Sequence, residues 1–149
     1  MMLIAISGND CVGKSTLAKH IKSIFPDEFA VIDSFAYSLR LAMLELGFEY
    51  SDVFLKPTKP NIRKAMMEVG KEMRDKDDLV FVNSLVKRVS EYQAKVVIID
   101  DMRYEVEYFG LWSRFDLFHL HITGGSPNYD TAELRELADL VIPSQNPNL

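Results

Sequence analysis

The chain of 149 residues contains a single cysteine, Cys11. One cysteine excludes an internal disulfide and fits a reducing compartment. Long hydrophobic runs are missing: no apolar stretch reaches the ~18 residues of a membrane span. The apolar start, Met1 to Ile6, is short and lacks the basic flank of a signal peptide. The expected location is therefore the cytoplasm, with no membrane partner. A basic tract is missing too, because 17 Lys and Arg stand against 22 Asp and Glu for a net charge of −5. Nucleic acids are gripped through clustered cations, so stable nucleic-acid binding is not expected. Repeats, linkers and low-complexity segments are absent, and the length suits one domain over residues 1–149. Hydrophobic residues at 48% suffice for its core.

What is present is an alternation of short apolar runs with helical patterns, which predicts an α/β fold with a mainly parallel sheet. Residues 3–7, 29–32, 95–100, 117–122 and 138–142 read as five strands. A helix starts near Lys14 with Leu17, Ile21 and Ile24 on one face, and Pro26 stops it. Residues 34–46 form a second helix ended by Gly47. Residues 49–60, with Pro57 and Pro60, read as an exposed loop. Two helices follow over 61–74 and 78–93, broken at the charged run Asp75-Lys76-Asp77-Asp78. Residues 103–112 are a further helix, 124–128 a loop, and 143–149 a loose polar tail.

The most informative segment is Gly8-Asn9-Asp10-Cys11-Val12-Gly13-Lys14-Ser15, which matches G-x-x-x-x-G-K-[ST]. It lies between an apolar strand and a helix, as its chemistry requires. Glycines let the backbone approach closely. Successive N–H groups then point at phosphate oxygens, reinforced by the positive end of the helix. Lys14 reaches the β- and γ-phosphates of ATP, the Ser15 hydroxyl ligates Mg²⁺, and Thr16 adds a further hydroxyl. Cys11 reads as a small loop residue rather than a nucleophile.

The strand over 96–99 delivers Asp100 and Asp101 to the carboxyl edge of the sheet, where an Asp binds Mg²⁺ directly or through water. The same aspartates serve equally as helix caps. Arg63, Arg74 and Arg103 are candidates for stabilising a transferred phosphoryl group, and spacing alone does not choose among them. His119 and His121 alternate with Phe118, Leu120 and Ile122 and are expected to pack in the sheet, and Met66, Met67 and Met73 to line core or groove. Asp33 ends the second strand, where it is either a helix cap or a base for a hydroxyl acceptor.

Several segments together resemble deoxynucleoside monophosphate kinases of the bacteriophage type. Asp101-Met102-Arg103-Tyr104-Glu105-Val106-Glu107 is similar to their D-x-R-[FY]-x-x-E segment. The stretch from Arg63 to Arg74 resembles their R-x-x-L-Q-x-L-G-T-E-x-x-R helix, and Asp78 to Asn83 their D-x-W-V-N run. Phe35-Ala36 with Arg40, and Ala138 to Ile142, resemble two further segments in the same order. The resemblance implies a three-layer P-loop sandwich with a helical substrate-binding insertion over about 50–93 and a short lid over about 123–137. It implies transfer of the ATP γ-phosphoryl group to a (deoxy)nucleoside monophosphate, in the cytoplasm of the host for a phage-encoded protein, and leaves homodimerisation open. Lys14, Asp101, Arg103, Arg63 and Arg74 would be catalytic. Asp33, Phe35, Arg40, Arg63, Met67, Gly70, Arg74, Arg103 and Glu107 would meet the acceptor. Ser15, Asp100 and Asp101 would hold Mg²⁺, and closure of the 50–93 segment would exclude water. Met67 and Lys71 stand where the family has Gln and Thr. Residues 123–130 hold no Arg or Lys, Arg135 being the nearest, and the family's closing helix has no counterpart after the last strand. Two other readings remain: a kinase of a small-molecule or nucleoside hydroxyl, and a nucleotide-binding module without turnover.

Overall fold

Parallel strands buried on both faces need apolar residues at consecutive positions, and the strand segments supply them. In the computed structural model, which describes residues 1–10, 12–125 and 132–144, five strands form one all-parallel sheet. The elements are β1 (Met2–Gly8), α1 (Lys14–Ile24), β2 (Ala30–Asp33), α2 (Phe35–Glu45), α3 (Tyr50–Phe54) and α4 (Pro60–Lys76). They continue with α5 (Val80–Glu91), β3 (Val96–Met102), α6 (Glu105–Trp112), β4 (Asp116–Thr123), α7 (Ala132–Glu136) and β5 (Leu140–Pro143). The strand order is β2-β3-β1-β4-β5, so β1 is central and its carboxyl end opens in the middle of the sheet. Open α/β sheets bind ligands at such an edge.

Alternate residues of the strands feed two cores. Leu3, Ala5, Val97 and Ile99 pack with Phe35, Phe81, Leu85, Leu111 and Leu134, so α2, α5, α6 and α7 share one face. Ile4, Ile6, Ile98, Leu120 and Ile122 pack with Ala18, Leu17 and Ile21 of α1 on the other. A third cluster, Met43, Val53 and Ile62, joins α2, α3 and α4.

Two expectations change. Ile24 is 69% exposed rather than on the inner face of α1. It is the last helical residue, and Phe25 takes its place in the core and stacks on Phe29 at 5.5 Å. The expected loop over 49–60 contains α3, whose Val53 is buried at 1% exposure. Five residues are too few to show a helical period. Pro60 then opens α4, at a position where its missing N–H goes unmissed.

The amino end of α2 is fastened by two strand-terminal carboxylates. Asp101 accepts from the N–H groups of Phe35 (2.8 Å) and Ala36 (2.9 Å), and Ser34 Oγ accepts from Tyr37 N–H. Asp33 accepts four hydrogen bonds: from Arg88 Nη2 (2.9 Å) and Ser34 N–H on Oδ1, and from Arg88 Nε (3.2 Å) and Tyr92 Oη (2.7 Å) on Oδ2. Arg88 in turn reaches Ser38, Ser84 and the Ser34 carbonyl, which together with Asp33 occupies its five donors. Both side chains are largely buried. Removing the cation leaves an uncompensated charge inside. Arg88→Ala is therefore expected to lower the unfolding free energy by about 3–5 kcal/mol in urea denaturation, whereas Lys71→Ala, on an exposed i,i+4 pair of α4, changes it by less than about 0.5 kcal/mol.

Candidate phosphate-binding site

The loop between β1 and α1 owes its path to glycine. Gly13 adopts φ 101°, and a Cβ there would meet nothing within 4 Å, so the space above it is open. Gly125 does the opposite: a Cβ would lie 2.5 Å from Val12 Cγ1 and 2.7 Å from the Asp10 carbonyl, so the segment after β4 closes against the loop. Asn9 Nδ2 donates to the Gly124 carbonyl at 3.2 Å and Ser144 Oγ to the Val12 carbonyl at 3.1 Å. These braces come from β4 and β5, where sequence reading found only a loop and a tail. Cys11 and residues 126–131 of the expected lid lie outside the described residues, as do residues 145–149 of the tail.

Charged groups converge at the loop mouth. Lys14 Nζ donates to the carbonyls of Gly8 (2.7 Å) and Asn9 (3.0 Å), which holds the ammonium over its own loop. Burial, together with the Arg103 cation, pulls the Lys14 pKa below its ordinary value, against the attraction of Asp10, Asp101 and Asp100. Arg103 extends from the end of β3 to pair with Asp10 at 3.8 Å. Ser15 Oγ donates to Asp100 Oδ2 at 3.5 Å, and burial followed by the charge of Asp101 pushes the Asp100 carboxyl up to about 6. Ser15 and Asp100 suit Mg²⁺, a hard cation that accepts few protein oxygens and completes its shell with phosphate and water. No cluster of three or more His, Cys, Asp or Glu able to hold a metal occurs among the described residues. Asp101 uses both oxygens on α2 instead.

The other predicted positions separate into three groups. Arg74 lies with its guanidinium 5.2 Å from the Tyr104 ring centroid and 5.5 Å from that of Phe81. Gly70 makes room for it, since a Cβ there would come within 3.3 Å of Arg74 Nη2. Arg74, Gly70 and Tyr104 thus form a cationic shelf near the end of β3. Arg63 and Met67 are exposed on α4, and among the described residues no hydrogen bond or ion pair joins either to the loop. Phe35 is in the core, Arg40 Nε donates to the Val53 carbonyl, and Asp33 is closed by Arg88 and Tyr92. With four accepted bonds, Asp33 has no lone pair for a hydroxyl proton.

Glu107 is also structural in geometry. Its Oε1 accepts from the N–H groups of Arg103 (2.8 Å) and Tyr104 (3.0 Å), which fixes the turn that presents both side chains. Arg88 and Tyr92 were not singled out in the sequence, because one Arg on a helical face looks like any other. A cavity of about 320 Å³ opens beside Asp100, walled by Ile32, Asp33, Ser34, Tyr37, Arg88 and Tyr92.

Comparison with family models and with characterised proteins finds no match to this chain. The all-parallel α/β sheet is shown by the structure, and no described helix is long and apolar enough to cross a membrane.

The buried Glu107 carboxyl gives a pH test of the turn that carries Arg103. Burial pushes it up to about 8 from an ordinary 4.5, against the pull of its two N–H donors. The folded chain then holds a proton that the unfolded chain releases, so this contribution is complete below pH ~4.5 and fades as pH rises through 8. Relative to Glu107→Gln, the wild-type unfolding free energy is expected to fall by a few kcal/mol between pH 5 and 8.5. Parallel curves for the two proteins would refute the assignment.

Proposed function

We propose that this protein transfers the γ-phosphoryl group of ATP to a nucleoside or deoxynucleoside monophosphate. The observation that carries the reading is the convergence of Lys14, Arg103, Ser15 and Asp100 on one glycine-lined loop at the carboxyl edge of the sheet. The P-loop motif supports the donor half, and the resemblance of residues 63–74 and 101–107 to phage-type monophosphate kinases supports the acceptor half.

In this reading the loop N–H groups and Lys14 hold the β- and γ-phosphates, and Ser15 and Asp100 would hold Mg²⁺. Held there, the ion would supply neutralisation of phosphate charge. An ionised oxygen of the acceptor phosphate attacks the γ-phosphorus, the bond to the β–γ bridging oxygen breaks, and ADP leaves. The attacking oxygen carries no proton, so no general base is required, which agrees with the closure of Asp33. Arg103 stands beside Lys14, where charge builds on the transferred group, and Arg74 offers its cation to the acceptor from the Tyr104 and Phe81 shelf. Positioning and fixed charge then account for most of the rate.

ADP release from ATP and Mg²⁺, measured across the common NMPs and dNMPs, tests the reading. Turnover is expected on one or a few monophosphates, abolished in Lys14→Ala and reduced about 100-fold or more in kcat by Arg103→Ala. Nucleotide binding without turnover on any monophosphate would reject the monophosphate transferase and leave a kinase of a hydroxyl acceptor or a binding module.

A further inference from the structure

A buried polar cluster lies beneath the phosphate loop. Ser7 of β1 and His119 and His121 of β4 are each at most 4% exposed. Ser7 Oγ is 2.7 Å from His119 Nε2 and 2.8 Å from His121 Nδ1. The hydroxyl has one proton, so with neutral rings it donates to one imidazole and accepts from the other. Burial holds both histidines neutral at pH 7, His121 at about 4. The groups that face the pair are Lys14 from α1, Arg135 from α7, Asp139 ahead of β5, and the Tyr108 ring of α6 at 5.3 Å from the His119 ring.

The sheet does not need this cluster for stability. Its neighbours on the same face are Leu3, Ala5, Val97 and Ile99, and a buried hydrogen bond contributes only about 1 kcal/mol net. His119 Nδ1 makes no well-formed hydrogen bond among the described residues, although the main chain of Leu137 lies close enough to His119 to favour its charged form. The position of the cluster is what distinguishes it. Ser7 precedes Gly8, whose carbonyl receives Lys14 Nζ. The register of β1 on β3 shifts between Ala5 and Ser7, while its register on β4 continues unbroken through Ser7↔His121 and Gly8↔Ile122. A Cβ on Gly8 would lie 2.6 Å from the Ile122 carbonyl oxygen. The entry to the loop is therefore fastened on the β4 side, at the level of the two imidazoles.

We propose that Ser7, His119 and His121 are positioning residues for the phosphate loop: the imidazoles clamp Ser7 Oγ, and this sets the height of Gly8 and of the loop that Lys14 spans. The proposal rests on the nucleotide-binding reading above. It makes the cluster a determinant of phosphate affinity rather than of folding.

The test replaces the whole network at once, as Ser7→Ala, His119→Leu and His121→Leu together, so that no partner is left unsatisfied. Unfolding free energy is expected at or above the wild-type value, with the Mg²⁺–ADP dissociation constant raised about tenfold or more by calorimetry. A folded variant with wild-type affinity overturns the proposal while leaving the nucleotide reading intact. Absence of Mg²⁺–ADP binding to the wild type removes both. Should the triple variant fail to fold, ¹⁵N-histidine spectra of the wild type decide: saturating Mg²⁺–ADP is expected to shift the His121 and His119 ring nitrogens. Unchanged ring signals at saturation overturn the proposal.

Discussion

The bond from Asp101 to the amino end of α2 is the constraint on which the site is built. Its two oxygens take the N–H groups of Phe35 and Ala36, which a helix otherwise leaves without partners. That contact ties the end of β3 to the start of α2 across the edge strand β2. Asp33, at the end of β2, pins α5 to the same place through Arg88. Because side chains alternate along a strand, anchoring Asp101 on the α2 face turns Asp100 to the opposite face, toward Ser15. One carboxylate builds the frame and its neighbour is thereby aimed at the phosphate loop.

Four acidic groups close to the crevice look alike in sequence, and only their partners separate them. Asp33, Asp101 and Glu107 all accept main-chain or arginine donors and hold local geometry. Asp100 instead faces the Ser15 hydroxyl at 3.5 Å, and burial followed by the charge of Asp101 raises its pKa. Sequence spacing reports that a carboxylate reaches the edge of the sheet. It does not report whether an N–H group is waiting there, since for Asp101 the donors come from 65 and 66 positions away.

The same distinction explains how much of the fold was legible. The strands were readable because β1 and β3 carry consecutive apolar residues and β4 an apolar run interrupted by two histidines, a pattern that survives without knowledge of the neighbours. The loop from Gly8 to Ser15 was readable because its chemistry is local. The short helix α3 was not, and neither was Arg88, whose role depends on Asp33 being 55 residues distant. The braces at Gly125 and Ser144 were invisible for the same reason: one is a glycine in a turn and the other a serine after an edge strand, until β4 and β5 bring them against Val12 and Asp10.

The placement of the cations bears on the proposed transfer. Residues 123–130 hold no Arg or Lys, so in that reading a phosphate at Lys14 would draw further positive charge from other elements. Arg103 supplies it from the β3–α6 turn, where Glu107 fixes the backbone and Asp10 holds the guanidinium near the loop. Burial and then His119 account for most of the lowered His121 pKa, and Arg135 on α7 adds to it ahead of Lys14, so the Arg135 charge too is felt in the sheet region below the loop. Arg103 sits on the short β3–α6 connection at the carboxyl edge, next to parts of the sheet that are already packed. A charge held on such a frame needs little reorganisation when a phosphate arrives, which is the condition under which electrostatic stabilisation is strongest. In the proposed reading, the frame of Asp101, Asp33 and Glu107 would supply by fixed geometry what an arginine-rich lid would otherwise bring.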